Sequence, residues 1–566
     1  MLYHSPSLAW IKALASCAGF VAILYIYTLI IENYGGFSTE RNTEQLIELA
    51  LVVYFYGLFY AVQKPSAWRS VLAGLPILLL YLAHDIFYLT QGKVFRLVNA
   101  AELPELLQVL PLSYALLIGA ILFLPLGALL LSVDYRRPRH LALWLAPLAA
   151  VIAFVVAIPN AFAHRFQQLA TEIVTYSDGK SVEANGRIAM LLYREAQRIN
   201  TLAALAPYRD RQAYDHQAEQ LAQELRPHAN RRNVHLIVLE SFLDPRLFSG
   251  LRLSSPPVHP DFERLFGDKL GLSISPVFGG GTAQAEFEVL CGTPALEKVS
   301  SVEFNVFSGA PAHCLPDLLQ RIGYRSVASN AYKPNFFNAL PAYQGAGFAE
   351  SYFPQEFSGA RQTYLRFGDP GEEEYLFDGE LFDQNLEFVR SHLAQHPGEP
   401  LFNYIMTIYG HTPNLIDRTK RPAFITLKSD YHDDQLERAV NQFYYRTEAI
   451  ARFVEQLLAI DQNSLVILVS DHVPPLRNGL NTYDKLGYMD NGANHYYTNR
   501  IAIIEDGQPR VYAPLHHYEV PSIILDYVSR DAYCRGRPCA FKDGSQPLAR
   551  EQHLEDYLRL MAHASE

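Results

Sequence analysis

Four side chains of types that bind metal ions stand directly after apolar runs or glycines in this sequence. Glu240 follows the run VHLIVL, the pair Asp471-His472 follows the run LVILVS, and Thr282 follows three glycines. Two carboxylates, an imidazole and a hydroxyl are a suitable four-ligand set for Mn²⁺, Zn²⁺ or Mg²⁺. A hydroxyl held by such an ion is acidified, so Thr282 would act as a nucleophile without a dedicated protein base.

The glycines before Thr282 favour a turn that binds phosphate. Gly279, Gly280 and Gly281 let the backbone approach a ligand closely, and Thr282 would begin a helix whose first amides favour an anion. Each fragment also has an ordinary structural interpretation. Thr282 could be a helix N-cap, and Glu240 could be a surface acid at the end of a strand. The residues alone leave these alternatives open.

The elements around these residues predict a mostly parallel sheet. Apolar, β-branched runs alternate with helical patterns, which is typical of an α/β domain whose central sheet is covered by helices on both faces. Ligands of open α/β sheets bind outside the carboxyl ends of the strands, where Glu240 and Asp471-His472 stand. The predicted strands are 233–240, 325–329, 401–408, 464–470 and 499–504, and the predicted helices are 283–290, 314–322, 378–395 and 434–460.

The composition indicates a membrane domain before this α/β domain. The chain has 566 residues, of which 49% are hydrophobic and only 19% charged. Its net charge of −11 argues against a nucleic-acid-binding protein, and five cysteines are too few for a disulfide scaffold. A helix needs about 20 apolar residues to cross a bilayer. Five segments qualify or come close: Leu8–Ile31, Leu46–Val62, Val71–Leu89, Leu112–Val133 and Leu141–Phe162.

The loops between these segments predict the orientation in the membrane. Segment 63–69 carries Lys64 and Arg69, and segment 134–140 carries three arginines. Short basic loops stay in the cytoplasm, so the N-terminus is expected inside and everything after residue 162 outside. We therefore expect a multi-pass protein of a bacterial cytoplasmic (inner) membrane with a periplasmic or extracellular catalytic domain. The predicted division is a transmembrane domain at 1–162, a juxtamembrane helical linker at 163–232 and an extracytoplasmic α/β domain at 233–566.

Four motifs in order behind the five apolar segments resemble the lipoteichoic acid synthase and phosphoglycerol transferase family. They are NVHLIVLESF, GGGTAQAEFEVL, MTIYGHTPN and LVSDHVPPL. That family belongs to the sulfatase branch of the alkaline phosphatase superfamily. The resemblance implies a membrane-anchored enzyme with an external sulfatase-like domain and one divalent cation, most often Mn²⁺, with Zn²⁺ or Mg²⁺ as alternatives.

The resemblance also implies a role for individual residues. Thr282 would be the nucleophile that takes the phospho-group from a phospholipid, and it would ligate the metal together with Glu240, Asp471 and His472. His411 matches a histidine that contacts the transferred head group or protonates the leaving group. The remaining expected substrate-binding residues are His495, Lys333, Phe337 and Asn338.

Two positions depart from the family pattern. Ala339 stands where members that use glycerol phosphate tend to carry an arginine, and Ser470 replaces a glycine before Asp-His. Because this arginine is missing, the sequence does not decide which head group the donor lipid carries. The implied reaction moves a phosphoglycerol group from phosphatidylglycerol, through a phospho-threonine, to a cell-envelope glycan or glycolipid. The alternatives are a phosphoethanolamine transferase of the same superfamily and, from another class, a catalytically silent scaffold with this fold.

The cysteines argue against a sulfatase that uses formylglycine. Such enzymes need Cys or Ser followed by x-Pro-x-Arg, whereas the segment after Cys314 has leucine at the arginine position. An oxidising external compartment permits disulfides instead. Cys534 with Cys539 and Cys291 with Cys314 are the candidate pairs, and the sequence does not decide whether they form.

Overall fold

The chain forms two compact units. A computed structural model describes residues 6–34, 45–91, 94–109, 112–170, 173, 178–428 and 431–566. The first unit is Met1–Ala203 and the second is Ala204–Glu566. The predicted division into a membrane domain, a linker and a catalytic domain stays a prediction, because compactness alone does not define those roles.

The first unit is helical. Its helices are α1 Pro6–Tyr34, α2 Leu46–Val62, α3 Arg69–Gln91, α4 Leu103–Val109, α5 Leu112–Ser132, α6 Pro138–Ala157, α7 Pro159–Leu169, α8 Asp178–Asn185 and α9 Arg187–Ala204. Among the described residues, four helical segments are long and apolar enough to cross a membrane: Ile11–Ile31, Arg69–Tyr88, Leu112–Ser132 and Pro138–Ala157. Many of their apolar side chains face outward, as Leu131 does at 81% exposure. This outward apolar surface is what lipid contact requires.

Four of the five predicted membrane spans correspond to these long apolar helices. The remaining apolar helix, Leu46–Val62, has 17 residues, at the short end of the range for a bilayer-crossing helix. It ends at Val62 because Gln63 is extended and Pro65 follows Lys64, and a proline disfavours helical backbone in the residue before it.

Buried polar groups tie α9 to the apolar helices of the first unit. Glu48 on α2 accepts hydrogen bonds from the backbone amides of Ile188 (3.1 Å) and Ala189 (2.9 Å) at the start of α9. Arg187 Nε lies 2.7 Å from Asp85 Oδ1 on α3. The first amides of a helix have no partner within the helix, so a carboxylate satisfies them. Residues after 162 thus belong to the same compact unit as the apolar helices.

The second unit is built on a mixed, mostly parallel sheet. Its strands are β1 Val234–Leu239, β2 Gly271–Ile274, β3 Arg325–Asn330, β4 Glu350–Tyr352, β5 Leu401–Met406, β6 Leu465–Ser470, β7 Thr498–Glu505, β8 Gln508–Arg510 and β9 Leu515–His516. The spatial order is β4-β3-β5-β1-β6-β7-β2-β9, with β8 paired to β7. Strands β4, β3, β5, β1 and β6 are parallel, whereas β7 runs antiparallel to both β6 and β2.

Helices cover both faces of this sheet, which confirms the predicted fold class. The helices are α10 Arg211–Leu225, α11 Pro260–Phe266, α12 Thr282–Cys291, α13 Leu315–Arg321, α14 Ala339–Ala346, α15 Gln355–Ser358, α16 Asp378–Gln395, α17 Asp434–Ile460, α18 Leu480–Lys485, α19 Val520–Val528, α20 Ala532–Arg535, α21 Ala540–Asp543 and α22 Leu554–Ala564. On one face, Val234, Leu236 and Val238 of β1 pack in a core with residues of α12, α13, α14, α19 and α22. On the other face, Leu239 lies near Ile450 of α17.

Two disulfides close loops in the second unit. Cys291 at the end of α12 bonds Cys314 at the start of α13, and Cys534 bonds Cys539. These are the two candidate pairs of the sequence analysis. They belong to the unit expected outside the cytoplasm, where an oxidising environment lets disulfides persist.

Candidate metal and nucleophile site

Three of the predicted ligands meet at the carboxyl ends of neighbouring strands. Glu240 follows β1, and Asp471-His472 follows β6, in the register that pairs Leu239 with Ser470. All three side chains are buried, with exposures of 2%, 0% and 2%. Parallel strands end at the same edge of a sheet, which is why residues more than 200 positions apart in the sequence come together.

Thr282 completes the cluster from the start of α12. Its hydroxyl donates to Glu240 Oε2 at 3.0 Å and lies 3.4 Å from His472 Nε2. His472 Nε2 lies 3.3 Å from Asp471 Oδ2 and 3.9 Å from Glu240 Oε1. The structure thus brings together all four residues that the sequence analysis selected as metal ligands.

The backbone orients each ligand. Asp471 Oδ1 accepts hydrogen bonds from the amides of Ser241 (2.7 Å) and His472 (2.5 Å), so its other oxygen remains directed into the cluster. His472 Nδ1 donates to the Val473 carbonyl at 3.0 Å, which leaves the lone pair on Nε2. A histidine that binds metal is commonly held in this way by a hydrogen bond from its other nitrogen.

Residues that the sequence analysis did not select support Glu240. The Ser241 hydroxyl donates to Glu240 Oε1 at 2.8 Å, and the Glu240 amide donates to Thr407 Oγ1 at 2.9 Å. Both residues lie within the motifs NVHLIVLESF and MTIYGHTPN, so the sequence showed where they stand. Their contacts with Glu240 depend on strand pairing, which the sequence did not show.

The charges in the cluster fit a divalent cation. Burial, followed by the neighbouring charge of Asp471, raises the pKa of Glu240. Burial raises the pKa of Asp471 to about 7. Among the described residues, Asp471 Oδ2 is buried with no hydrogen-bond partner. Two buried carboxylates this close need a compensating positive charge, and the oxygen and nitrogen donors of Glu240, Asp471, His472 and Thr282 match the set that holds one.

Two glycines permit the close approach of the loops. Gly281 precedes α12 with a φ of 80°, in the left-handed region that suits a residue without a side chain. A Cβ atom on Gly410 would lie 2.0 Å from the Glu240 carbonyl oxygen and 2.3 Å from Arg446 Nη1. The loop after β5 therefore reaches the Glu240 backbone because position 410 is glycine.

A buried arginine stands behind the cluster. Arg446 on α17 is 2% exposed, its Nε donates to Asp378 Oδ2 at 2.6 Å, and its guanidinium lies 5.0 Å from the Phe242 ring. Its positive charge opposes the rise in the pKa of Asp471. The sequence carried a signal for it, because Arg446 interrupts the apolar stripe of α17 between Phe443 and Ile450.

His411 lies close enough to the cluster for its charge to favour ionised Glu240. Its Nδ1 donates to the Thr412 carbonyl at 2.8 Å, and its ring lies 5.0 Å from that of Tyr375. The hydrogen bond at Nδ1 leaves Nε2 for a ligand. A role in contacting the head group or protonating the leaving group stays a prediction.

The segment that follows β3 contains Lys333, Phe337 and Asn338. Lys333 is half-buried, its Nζ lies 5.0 Å from the Tyr332 ring centroid, and burial lowers its pKa. The Asn338 amide donates to the carbonyls of Phe304 (2.7 Å) and Phe307 (2.8 Å). Asn338 therefore braces the turn, and substrate contact by any of the three stays a prediction. Ala339, in the position of the missing arginine, is buried at the start of α14.

His495 and Ser470 have local partners. His495 Nε2 lies 3.2 Å from Asp484 Oδ1, and its Nδ1 donates to the Gly492 carbonyl at 2.8 Å. Its substrate contact also stays a prediction. The Ser470 hydroxyl donates to the His472 carbonyl at 3.0 Å and accepts from Asn499 at 2.9 Å, so the serine links β6 to β7 just before the ligands.

A sequence model of the sulfatase family matches residues 232–528, which is more than half of the chain and contains all four ligands of the cluster. The chain belongs to the sulfatase family. Enzymes of the sulfatase fold use a divalent metal, and the cluster offers a suitable set of donors. This member has Thr282 in its cluster, and Cys314 is bonded to Cys291.

Among curated proteins, this sulfatase-family chain is 26% identical over 270 residues to a putative cyclic beta-1,2-glucan modification protein of Rhizobium meliloti (strain 1021). The match covers 46% of this chain and 38% of the relative, so the chain spans well under two thirds of that protein.

Two solved structures are also similar to the chain. The lipoteichoic acid synthase LtaP of Listeria monocytogenes is 18% identical, with a TM-score of 0.45 over 53% of this chain and 72% of that one. The Streptococcus pyogenes phosphoglycerol transferase GacH, in complex with sn-glycerol-1-phosphate, is 18% identical, with a TM-score of 0.45 over 64% of this chain and 92% of that one.

Proposed function

We propose that this protein is a membrane-anchored, metal-dependent phosphotransferase that moves a phosphoglycerol head group from phosphatidylglycerol to a cell-envelope glycan or glycolipid. The catalytic unit would face the periplasm or cell exterior, with Mn²⁺ as the most suitable ion. The observation that carries the proposal is the Thr282 hydroxyl, 3.0 Å from Glu240 and 3.4 Å from His472 within a buried ligand cluster. The apolar helices of the first unit support a lipid donor.

The proposed reaction has two displacements at phosphorus. In the first, Thr282 Oγ bonds to the phosphorus of the lipid, and the bond from phosphorus to the diacylglycerol oxygen breaks. Thr282 loses its hydroxyl proton, and the departing diacylglycerol oxygen gains one, for which His411 is the proposed donor. In the second, an acceptor hydroxyl loses its proton and attacks the phospho-threonine, and Thr282 leaves and regains a proton.

Glu240, Asp471, His472 and Thr282 would hold the cation. When bound, the ion supplies positive charge that acidifies the threonine hydroxyl and stabilises charge on the transferring phospho-group. The chain's own contribution is orientation. Ser241 and the amides around Asp471 hold the carboxylates, and Val473 holds the imidazole, so the donors are preorganised.

A glycan acceptor is supported by the curated relative, whose name assigns it to the modification of a cyclic β-1,2-glucan. A glycan offers hydroxyl groups, the nucleophile that the second displacement requires. The acceptor is therefore proposed as a glycan hydroxyl, on a free envelope glycan or on a glycolipid.

Trapping the intermediate tests the proposal. Purified protein is incubated with phosphatidylglycerol and Mn²⁺ without an acceptor, and the peptide containing Thr282 is analysed by mass spectrometry. We expect a covalent glycerophosphoryl adduct on Thr282, and its absence from Thr282→Ala. Undiminished turnover of labelled phosphatidylglycerol by Thr282→Ala would contradict the mechanism.

The same measurement separates the two candidate head groups. Ala339, which is buried, occupies the position where the pattern of glycerol phosphate enzymes has an arginine. Phosphoethanolamine transfer is therefore the second candidate function. An adduct formed from phosphatidylethanolamine and not from phosphatidylglycerol would assign the alternative. A protein that forms no adduct with either lipid and binds no stoichiometric metal would instead be a silent scaffold.

A further inference from the structure

A second cluster of metal-binding side chains lies at the end of α16. In the described part of the chain, His392, His396 and Glu399 each offer a ligand atom, and these atoms lie within 4.8 Å of one another. His392 and His396 are one helical turn apart, so both point to the same side at the last turn of the helix. Glu399 follows in the turn that leads into β5.

His392 has the orientation expected of a metal ligand. Its Nε2 donates to the Glu399 backbone carbonyl at 3.1 Å, which leaves the lone pair on Nδ1. The whole residue is only 3% exposed. Its Nδ1 is buried and, among the described residues, has no hydrogen-bond partner. A buried polar nitrogen without a partner is unfavourable, and a bound cation would satisfy it. A hydrogen bond from the other ring nitrogen to a carbonyl is the usual support of a metal-binding histidine.

His396 and Glu399 complete the set from the solvent side. Their side chains are 44% and 45% exposed, and His396 Nδ1 lies 3.7 Å from Glu399 Oε2. The rings of His392 and His396 are stacked with centroids 5.3 Å apart. The site is thus open to an ion arriving from solution, with one buried and two exposed candidate ligands.

The distances between the candidate ligand atoms are close to those found around a bound ion. Zn–N bonds of about 2.0–2.1 Å in a tetrahedral site place ligand atoms roughly 3.4 Å apart. The exposed side chains of His396 and Glu399 can close the remaining gap by rotation. The nearby cation Arg325 is itself paired with Glu350, which offsets its repulsion of an ion.

We propose that His392, His396 and Glu399 form a second metal site that binds Zn²⁺ or a similar imidazole-preferring transition-metal ion. Two imidazoles and one carboxylate favour Zn²⁺ over Mg²⁺, which prefers oxygen ligands. The site lies just before β5, whereas Thr407 follows the other end of that strand and supports Glu240. The ion would link the end of α16 to the turn before β5. Water or another group would fill the fourth coordination position of the ion.

Zn²⁺ stoichiometry tests this site. Full-length protein in detergent is stripped of metal, loaded with excess Zn²⁺, passed over a desalting column and measured for bound zinc. We expect His396→Ala to bind about one equivalent less than wild type, and Asp471→Asn to lose a separate equivalent from the cluster around Thr282. His396 is exposed, so its replacement by alanine should leave the fold intact.

The matched control is His216→Ala, an exposed histidine on α10. It should bind as much zinc as wild type, and excess Mg²⁺ should leave the zinc held by the His392 cluster in place. Equal zinc content in wild type and His396→Ala would overturn the second site. Because the two variants report on different clusters, failure of this site is distinguishable from failure of the catalytic one.

Discussion

Glu286 is a buried carboxylate one helical turn after Thr282. Its Oε1 accepts hydrogen bonds from the hydroxyls of Tyr343 at 2.5 Å and Tyr404 at 2.7 Å. Burial, with a smaller contribution from the charge of Glu240, raises its pKa to about 7. The tyrosines belong to α14 and β5, so this side chain joins the nucleophile helix to the sheet.

Glu286→Gln should change the stability of the protein in a pH-dependent way. The folded pKa of about 7 exceeds the ordinary value of 4.5, so the wild-type fold loses stability as Glu286 ionises on raising the pH through this interval. The difference corresponds to about 3 kcal/mol. Glutamine keeps an acceptor for both tyrosines and does not ionise. The variant should therefore gain stability relative to wild type at pH 8 and little at pH 4.5, measured as the shift in Tm.

The control for this measurement is Glu387→Gln, an exposed carboxylate on α16 with 78% side-chain exposure. Its stability difference from wild type should be small at both pH values. A Glu286→Gln difference that is the same at pH 4.5 and pH 8 would contradict the assignment of a raised pKa in the folded protein.

Two long helices meet through a buried ion pair. Arg446 of α17 and Asp378 at the start of α16 are both almost completely buried, with a 2.6 Å contact. The rings of Phe382 and Phe453 stack beside them with centroids 4.5 Å apart. Burying both charges is unfavourable unless they stay together, so the pair fixes the register of one helix against the other.

Arg446→Met should destabilise the protein by about 3–5 kcal/mol, because it leaves the Asp378 carboxylate buried without its partner. Unfolding monitored by circular dichroism measures this loss. The double variant Arg446→Met/Asp378→Leu removes both charges, and we expect it to recover most of the lost stability. Metal affinity should rise in the double variant, because the positive charge of Arg446, which would repel a cation held near Asp471, is gone.

Equal destabilisation by the double and single variants would show that Arg446 acts through packing, as its stacking on Phe242 allows. Wild-type metal affinity in a stable double variant would show that its charge does not act on the ligand cluster. The two measurements separate the structural role of the pair from its electrostatic role.

At the scale of the whole molecule, the chemistry and the apolar helices lie in different units. Every residue of the ligand cluster belongs to Ala204–Glu566, and the segments able to cross a membrane belong to Met1–Ala203. The core of the second unit, including β1, α12 and α22, is formed from its own residues. This division predicts that catalysis and access to lipid can be separated.

A fragment of residues 204–566 should fold alone and form the Thr282 adduct from a short-chain, water-soluble phosphatidylglycerol. Its activity on phosphatidylglycerol in vesicles should be reduced by at least about tenfold relative to the full chain, because it lacks the apolar helices that hold it at the bilayer. Adduct formation by mass spectrometry measures both activities. Thr282→Ala in the same fragment is the control, and equal activity of fragment and full chain on vesicles would refute the anchoring role.

Much of the fold was predictable from the sequence. The apolar runs that form β1, β5 and β6 are long enough to be recognised, the less apolar segments of β3 and β7 were also predicted, and α16 and α17 have the predicted bounds. The short strands β2, β4, β8 and β9 have two to four residues, too few to show a pattern. Helix α2 is shorter than the other apolar helices because the extended backbone of Gln63 and the proline at position 65 end it.

The sequence by itself determined the fold class, the apolar N-terminal segments and the identity of the four side chains that cluster, because strand patterns and strand-end residues are local properties. Only the tertiary structure decided which distant groups contact the four clustered side chains. Ser241, Thr407 and Arg446 reach the cluster because β1 lies between β5 and β6 and α17 packs behind them. Likewise, the orientation of His392 depends on a turn that brings the Glu399 carbonyl back to its ring. Such contacts arise from packing between separate segments, which no local pattern encodes.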